Sequence, residues 1–243
     1  MSVLVVSEHR RGTLREVSYE AITAGRELAD AQGGDLHVAA IGGDVDRFAE
    51  DLNREGVDAI HTVANGEEFD HTVYQSAVGA LLDATDAETV VIPNSVNGLD
   101  YAPAVAEARD LELVTDAIGF EHAAVVNDLD VDADAGVAHV RRELEGGVEE
   151  LTDVDLPAVL TVQTGLNEPR YASLRGIRQA QRKEIDATDL ADLGLTADDV
   201  ESALTITEMY EPESESDAEI IEGDAGESAG RLAEVLREKG VSA

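Results

Sequence analysis

Residues 3–41 read VLVVSEHRRGTLREVSYEAITAGRELADAQGGDLHVAAI and predict a strand, a helix and a second strand. The opening VLVV is apolar without alternation, which is typical of a parallel strand buried on both faces. Residues 17–32 carry apolar side chains at helical spacing and end at a pair of glycines, and residues 36–41 form the second apolar run. Strand, helix and strand in this order indicate a parallel sheet with a right-handed crossover.

The same alternation continues to residue 109 and then stops. Further helices are predicted over residues 45–54, 68–84 and 101–109, and further strands over residues 59–63 and 89–93. From residue 113 to residue 164 strands follow one another with no helix between them, which predicts an antiparallel extension that ends in the strand 158–163. Residues 165–185 lack clean periodicity and are expected to form a long ordered loop. The pattern predicts the α/β fold class: a parallel twisted sheet with flanking helices and an antiparallel extension.

The last part of the chain predicts a helical arm. We expect one domain over residues 1–186 and the arm over residues 187–243, with the polar linker EPESE at residues 211–215. Asp224 and Glu227 form a capping box for a terminal helix. Its apolar stripe consists of Leu232, Val235 and Leu236. A short amphipathic helix cannot bury such a stripe alone, so we expect it to pack on the body or on a partner.

The composition excludes several kinds of partner. The chain has 53 Asp and Glu residues against 17 Lys and Arg residues, a formal net charge of −36. Nucleic acid and anionic membranes require clustered cations, so neither is an expected partner. No apolar stretch approaches the ~20 residues of a membrane span, and no signal peptide is expected, which predicts a cytoplasmic protein without membrane insertion. The acidity favours a salt-rich cytoplasm, where a Debye length of ~3 Å at molar salt screens neighbouring carboxylates; an ordinary acidic protein is the alternative.

Motifs for catalysis or metal binding are missing from the sequence. There is no cysteine, no G-x-S-x-G motif and no pair of histidines at helical metal-binding spacing. Residues 128–136, DLDVDADAG, have the acidic spacing of a calcium loop but not its glycine position or its final Glu, so a hairpin with one wet face is the favoured interpretation. The histidines in predicted strands are interpreted as structural: His37, His61, His122 and His139.

The candidate cofactor site is the crevice at the carboxyl ends of the parallel strands, where open α/β sheets bind ligands. Its candidate cofactor-binding residues are Val6, Ser7, Ile41, Gly42, Asn94, Ser95, Asn97, Gly98 and Asp100. The loop of residues 93–100 precedes a predicted helix and offers N–H groups and hydroxyls to a phosphate. A plain helix cap is the alternative, since neither a P-loop nor a G-x-G-x-x-G motif occurs.

A family resemblance rests on residues 140–185, VRRELEGGVEELTDVDLPAVLTVQTGLNEPRYASLRGIRQAQRKEI. This stretch closely resembles the β subunit of the electron transfer flavoproteins, with its patterns V-x-R-E-x-[DE]-G-G-x-E, L-P-A-V-[LIV]-T and [LI]-N-E-P-R-Y-x-[ST]-L. The start, VLVVSEH, and the segment PNSVNGLDYAPA look more like the first domain of the α subunit. The motif N-P-[YF]-[DE], which lies near the nucleotide in β subunits, is replaced by residues 14–17.

The resemblance implies a fold like that of the adenine nucleotide alpha-hydrolases and a β-type subunit that pairs with an α-type subunit. The pair shares FAD and carries electrons from acyl-CoA or other dehydrogenases to a quinone oxidoreductase or another acceptor. The resemblance leaves open whether the crevice of this chain holds AMP, a second FAD or nothing. Two further functions stay open from the fold: a stand-alone regulatory protein that binds adenine nucleotides, and an enzyme of the same superfamily.

The resemblance also assigns partner-binding residues. The segment after N-E-P-R-Y is the family's recognition loop, whose leucine is Leu174 here; Arg175 stands where the family has proline. An acidic residue that faces the mobile flavin domain corresponds to Glu143, for which a strand-end pair with Arg142 is the alternative. The full partner-binding set is Glu143, Tyr171, Leu174, Arg175 and Arg178. Residues 170–183 are interpreted as the only basic cluster of the chain, which marks an interaction surface or, alternatively, neutralises nearby carboxylates.

Overall fold

A computed structural model describes most of the chain, in two compact units that comprise residues 1–204 and 205–243. The described residues are 2–65, 69–114, 125–132, 136–144, 146, 148–169, 185–202, 204, 205, 207, 208, 210 and 220–240, without the side chains of 125–131 and 143. The expected domain boundary at residue 186 lies inside a strand of the first unit. The predicted linker at residues 211–215 lies outside the described residues.

The first unit alternates strands and helices up to residue 109. Its described strands are β1 Ser2–Val6, β2 His9–Arg10, β3 Thr13–Leu14, β4 Leu36–Gly42, β5 Ala59–Ala64, β6 Ala87–Pro93, β7 Glu112–Val114, β8 Val125–Asp132, β9 Val137–Leu144, β10 Val148–Asp155, β11 Ala158–Val162 and β12 Ile185–Asp189. Its described helices are α1 Glu16–Gln32, α2 Ala49–Leu52, α3 His71–Thr85 and α4 Val96–Arg109, with 3-10 turns at Asp46–Phe48 and Asp198–Val200.

One large sheet forms the centre of the first unit. Its strand order is β10-β9-β8-β11-β6-β1-β4-β5-β12, and β7 pairs with β11. The strands from β11 to β12 in this order run parallel, whereas β8, β9 and β10 pair antiparallel. These pairings confirm the predicted α/β class with its antiparallel extension. They also confirm the hairpin interpretation of residues 128–136, because Asp132 pairs with Val137 across the turn.

The apolar run of β1 is buried on both faces of the sheet, as its lack of alternation predicts. Val3 and Val5 pack in the core that contains α1, while Leu4 and Val6 pack in the core that contains α3 and α4. All four side chains are fully buried. Burial of an aliphatic side chain of this size stabilises a fold by about 1.5–3 kcal/mol, so this short run contributes substantially to both layers.

Two elements, α2 and β11, differ from the prediction in type or in position. The helix predicted over residues 45–54 is a 3-10 turn followed by the single turn α2, because burial of Phe48, Ala49 and Leu52 holds the segment and the chain leaves helical geometry at Asn53. The strand predicted at the end of the antiparallel extension is β11, which lies beside β6 in the parallel part of the sheet. All of β11 is buried, as expected for a central strand.

The predicted loop 165–185 ends in a strand that the sequence analysis missed. β12 extends the parallel sheet by pairing with β5, with Ile185 opposite Ile60. The strand alternates weakly and is mostly exposed, so its sequence IDATD carries little periodic signal. Helix α4 also differs, because it begins at Val96, five residues before its predicted start.

The second unit contains α5, Ala225–Glu238. The Asp224 carboxylate accepts N–H bonds from Gly226 at 2.8 Å and Glu227 at 2.9 Å, which confirms the predicted N-terminal cap. Leu232 and Leu236 on its apolar stripe are 50% and 42% exposed. No helix in the described ranges is both long enough and apolar enough to cross a membrane.

Candidate functional site

The predicted crevice forms where β1, β4 and β6 end at the same edge of the sheet. Val6 pairs with Ala39, and Val5 pairs with both Val38 and Val91, so the three strands end side by side. The topology therefore brings the nine predicted cofactor-binding residues to one edge. Whether they bind a ligand depends on which of their polar groups are free.

The hydroxyl of Ser7 is committed to the fold. Both its backbone N–H and its Oγ donate to the carbonyl oxygen of Ala39, at 2.7 Å and 2.8 Å. The side chain is buried. A hydroxyl without a partner at such a position would cost about 1–3 kcal/mol, so this bond joins β1 to β4 and leaves Ser7 little capacity for a ligand.

The carbonyl of Ile41 is covered by two side chains of the protein itself. Tyr74 donates its hydroxyl to this oxygen at 2.6 Å, and His9 Nε2 lies 2.9 Å from it. The His9 ring packs on Phe48 with their ring centroids 5.2 Å apart. It also lies against Gly42, where an added Cβ would come 2.7 Å from Nε2 and where φ is +142°. Only glycine fits that approach, so His9 and Tyr74 together fill the carboxyl end of β4.

An aromatic cluster completes the filling of this edge. The ring centroid of Tyr74 lies 4.9 Å from that of Phe69 and 5.2 Å from that of Tyr101. Burial and, secondarily, the Glu8 carboxylate raise the pKa of Tyr74, and burial raises the pKa of Tyr101. Both hydroxyls therefore stay protonated and neutral. Aromatic residues make up only 3% of the chain, so their concentration here is a signal that the sequence analysis missed.

The start of α4 has the geometry of a helix cap. Ser95 Oγ accepts the N–H of Gly98 at 3.0 Å, and Asn94 Oδ1 accepts the hydroxyl of Thr161 at 2.9 Å. Gly98 lies so close to the carbonyl of Pro93 that a Cβ would overlap it. Asn97 is half-buried and Asp100 is exposed. These hydrogen bonds support the alternative interpretation, in which the loop is a plain helix cap and not a phosphate-binding loop.

The charges of the crevice do not suit a phosphate. Residues 93–100 contain no Lys or Arg and include Asp100, and Glu8 directly follows Ser7. The Ser7 hydroxyl, the Ile41 carbonyl, Asn94 Oδ1 and Ser95 Oγ already have partners within the protein. The described residues of the crevice therefore do not fit the phosphate of AMP or the diphosphate of FAD.

A buried carboxylate that the sequence analysis did not identify holds the segment before the proposed recognition loop. Glu20 on α1 is 3% exposed, and its Oε2 accepts N–H bonds from Gly165 at 2.6 Å and Leu166 at 3.0 Å. The backbone oxygen of Glu20 accepts a further bond from Asn167 Nδ2 at 3.0 Å. An acidic residue among the apolar positions of α1 is the only sequence signal, and it does not reveal the partner.

The predicted partner-binding residues are only partly within the described structure. Tyr171, Leu174, Arg175 and Arg178 lie outside the described residues, as does the side chain of Glu143. The backbone of Glu143 lies on β9, opposite Glu149 of β10. On the same strand Arg142 forms an ion pair with Glu150, and Arg141 forms one with Glu149 at 3.2 Å.

Two predicted structural histidines form a pair in which His61 is buried and His37 is half-buried. His37 Nδ1 lies 3.0 Å from His61 Nε2, and His61 Nδ1 lies 3.5 Å from Asp186 on β12. Burial lowers the pKa of both rings; the proximity of His37 lowers that of His61 further, while nearby Asp carboxylates act in the opposite direction. This pair supports the structural interpretation for His37 and His61. Within the described ranges, no group of three or more His, Asp or Glu side chains is arranged to hold a metal ion.

Comparison with known proteins identifies relatives of both subunit types. The family described as "Electron transfer flavoprotein domain" matches residues 3–193. The chain is 44% identical over 128 residues to an electron transfer flavoprotein subunit beta of Methylophilus methylotrophus, covering 51% of this chain and 48% of that one. It is 35% identical over 136 residues to the subunit beta of Bacillus subtilis, covering 56% and 48%.

A longer match joins the chain to the other subunit type. It is 30% identical over 202 residues to the electron transfer flavoprotein subunit alpha of Methylophilus methylotrophus, covering 82% of this chain and 59% of that one. The chain thus spans about half the length of the curated relatives it matches.

Proposed function

The chain belongs to the electron transfer flavoprotein domain family, and we propose that it is the β-type subunit of a heterodimeric electron transfer flavoprotein. The observation that carries this proposal is the family match over residues 3–193, together with relatives named as beta subunits at 44% and 35% identity. The match to a subunit alpha supports the proposal that the partner is a homologous α-type chain.

In this proposal the two subunits share FAD, and the α-type partner holds its nucleotide part. The flavin supplies the electron transfer, and the proteins supply binding and orientation. The satisfied polar groups of the crevice support this division, because Ser7, the Ile41 carbonyl and Ser95 already bond within the chain. They weigh against AMP or a second FAD in the crevice. They weigh equally against the alternative of a stand-alone regulatory protein that binds adenine nucleotides.

We propose that the dehydrogenases that donate electrons bind to the recognition loop, which follows the residues that Glu20 holds. Because Glu20 holds Gly165 and Leu166, the chain enters residues 170–184 from a fixed position. Leu174 would then serve as an apolar anchor for acyl-CoA or other dehydrogenases, within a rim that includes Tyr171, Arg175 and Arg178. Glu143 would face the flavin domain of the partner. The acceptor in this proposal is a quinone oxidoreductase or another carrier.

The test is co-expression with an α-type subunit, purification in molar salt and a visible absorption spectrum. We expect a one-to-one complex with a flavin band and no AMP among the acid-released nucleotides. A colourless chain that does not bind the partner would contradict the proposal. Leu174→Ala should slow reduction by a dehydrogenase without loss of flavin, whereas Leu204→Ala, at a leucine that is 68% exposed, should change neither.

We also propose that the protein works in a salt-rich cytoplasm. The net charge of −36 supports this, since self-repulsion among carboxylates is screened at high ionic strength. Circular dichroism should show more complete folding at about 2–3 M KCl, where the screening length is ~3 Å or less, than at about 0.1 M. Equal folding at both concentrations would contradict this proposal without affecting the electron-carrier proposal.

A further inference from the structure

A pocket lined by three arginines opens on the loop that follows the crevice residue Ser7. Arg10 and Arg11 come from the β2–β3 hairpin, Arg15 precedes α1, and Thr13 and Thr164 also line the pocket. Its volume is about 620 Å³. This size lies within the range of small-molecule sites, about 300–1,000 Å³.

The hairpin is held in place before any ligand arrives. Arg15 donates its backbone N–H to the oxygen of Glu8 at 2.9 Å, which closes the base of the hairpin. The hydroxyl of Ser18 on α1 lies 2.9 Å from the Glu8 nitrogen and 3.1 Å from its oxygen. These bonds fix the backbone at the base of the hairpin, so binding a ligand there does not have to order the loop.

The turn itself is tight and directs adjacent arginines to one place. Arg11 has φ +49° and Gly12 has φ +75°, which is left-handed geometry at both positions. A Cβ on Gly12 would displace the flexible guanidinium end of Arg47, and the positive φ is what favours glycine there. A residue other than glycine in the left-handed region costs about 1–2 kcal/mol, and Arg11 retains this conformation at an exposed turn.

The three arginines have no carboxylate partner among the described residues. Several other described arginines pair with carboxylates, among them Arg26 with Asp58 at 2.7 Å and Arg141 with Glu149 at 3.2 Å. Arg10, Arg11 and Arg15 are exposed instead, and Glu16 is the one carboxylate in the pocket lining. In a chain with 53 acidic and 17 basic residues, three neighbouring guanidinium groups that pair with no described carboxylate are unexpected. The sequence-based interpretation that residues 170–183 hold the only basic cluster is therefore wrong.

We propose that this arginine pocket binds a small molecule that carries a diphosphate group. Guanidinium groups bind phosphate oxygens in a bidentate manner, which makes arginine well suited to this anion. The hydroxyls of Thr13 and Thr164 add hydrogen-bond donors. The first turn of α1 has no side-chain cap, so its N–H groups and the helix dipole also favour an anion. The site is separate from the crevice and does not depend on the proposed electron-carrier function.

Isothermal titration of the full chain with pyrophosphate, ADP and orthophosphate at one fixed KCl concentration tests the proposal. Arg11→Gln and Arg15→Gln should each weaken pyrophosphate binding about tenfold, because each removes one charge-assisted contact. The matched control is Arg237→Gln on α5, which changes the net charge equally at an exposed site outside the pocket. It should bind like the unmodified chain.

The comparison of ligands then defines the site. If pyrophosphate and ADP bind with equal affinity, the diphosphate is the group that the pocket recognises. If ADP binds more tightly and Arg11→Gln weakens that binding, the pocket also contacts the nucleoside. The proposal is overturned by affinity that is equal in Arg11→Gln and Arg237→Gln, or by no binding of any of the three anions. Binding of a poly-glutamate peptide in place of pyrophosphate would overturn it too and indicate a surface for an acidic protein segment.

Discussion

The crevice at the ends of β1, β4 and β6 and the arginine pocket on the nearby β2–β3 hairpin use their polar groups in opposite ways. In the crevice, Ser7 bonds to β4, and the Ile41 carbonyl is covered by His9 and Tyr74. In the arginine pocket, Arg10, Arg11 and Arg15 are exposed and form no ion pair with a described residue. The crevice, where the topology predicts a ligand, is thus filled by the protein's own side chains. The arginine pocket, which is open and charged, lies near it.

The difference shows that location in a fold is a weaker guide to binding than the state of the hydrogen-bonding groups. Buried polar groups need partners, and in the crevice the protein provides them itself. Exposed guanidinium groups are hydrated and do not need a partner for folding. Substitutions in the crevice should therefore change stability, and substitutions in the arginine pocket should change anion binding.

The largest expected effect on stability comes from truncating an aromatic side chain that fills the crevice. Tyr74→Ala removes an aromatic ring packed on Phe69 and Tyr101, and should lower the free energy of unfolding by about 3 kcal/mol. Tyr74→Phe removes only the bond to Ile41 and should cost about 1 kcal/mol. Urea unfolding measures both. The control is Tyr210→Ala, at a tyrosine that is 75% exposed. If Tyr74→Ala lowered the free energy of unfolding no more than Tyr210→Ala does, the structural role of the crevice residues would be contradicted.

Glu20 provides a second test of what a hydrogen-bonded group contributes to stability when its partner is removed. Glu20→Ala leaves the part-buried N–H groups of Gly165 and Leu166 without their acceptor and should cost about 2 kcal/mol, while Glu20→Gln keeps one acceptor oxygen and should cost about 1 kcal/mol. Hydrogen exchange at Gly165 and Leu166 should accelerate in parallel. Glu16→Gln changes an exposed carboxylate on the same helix and should leave both stability and exchange unchanged.

The histidine pair predicts a pH dependence of stability. Because burial lowers the pKa values of His37 and His61 below 6.5, the unfolded chain takes up protons that the folded chain does not. The contribution of the two neutral histidines to the free energy of unfolding is complete above the pKa of histidine in the unfolded chain. It is lost as pH falls towards the lower pKa values of the folded chain. Urea unfolding from pH 7.5 to 5.5, below the ordinary His pKa of about 6.5, should show the loss.

The double variant His37→Gln/His61→Gln identifies the source of that loss. It should flatten the pH profile over the same range, whereas His71→Gln, at a histidine on α3 outside this pair, should leave the slope intact. A profile of unchanged slope in the double variant would assign the pH dependence to other groups.

The smallest effect is expected in the arginine pocket. Arg11→Gln should change the free energy of unfolding by less than about 0.5 kcal/mol, since exposed side chains without buried partners contribute little to stability. The same variant should lose pyrophosphate affinity. A large loss of stability in Arg11→Gln would mean that the arginine supports the fold, and the contrast between the two surfaces would fail.

Much of the fold follows from local patterns. The apolar runs of β1, β4 and β6 are continuous because both faces of those strands are buried, and Asp224 caps its helix through contacts two and three residues away. The position of β11 beside β6 could not be predicted, because a strand's sequence does not specify its neighbours. β12 escaped prediction because its exposed side chains leave no periodic signal.

The sequence by itself determined the α/β class, the order of the main strands and helices up to residue 109, and the edge of the sheet where polar loop residues meet. The tertiary structure alone decided how those residues are used. Glu20 reaches Gly165 across 145 residues, Tyr74 reaches Ile41 across 33, and no ion pair joins the hairpin arginines to any residue that the structure describes. Helical and strand periodicity reports only which face of an element is buried, whereas a hydrogen-bond partner depends on the packing of distant elements.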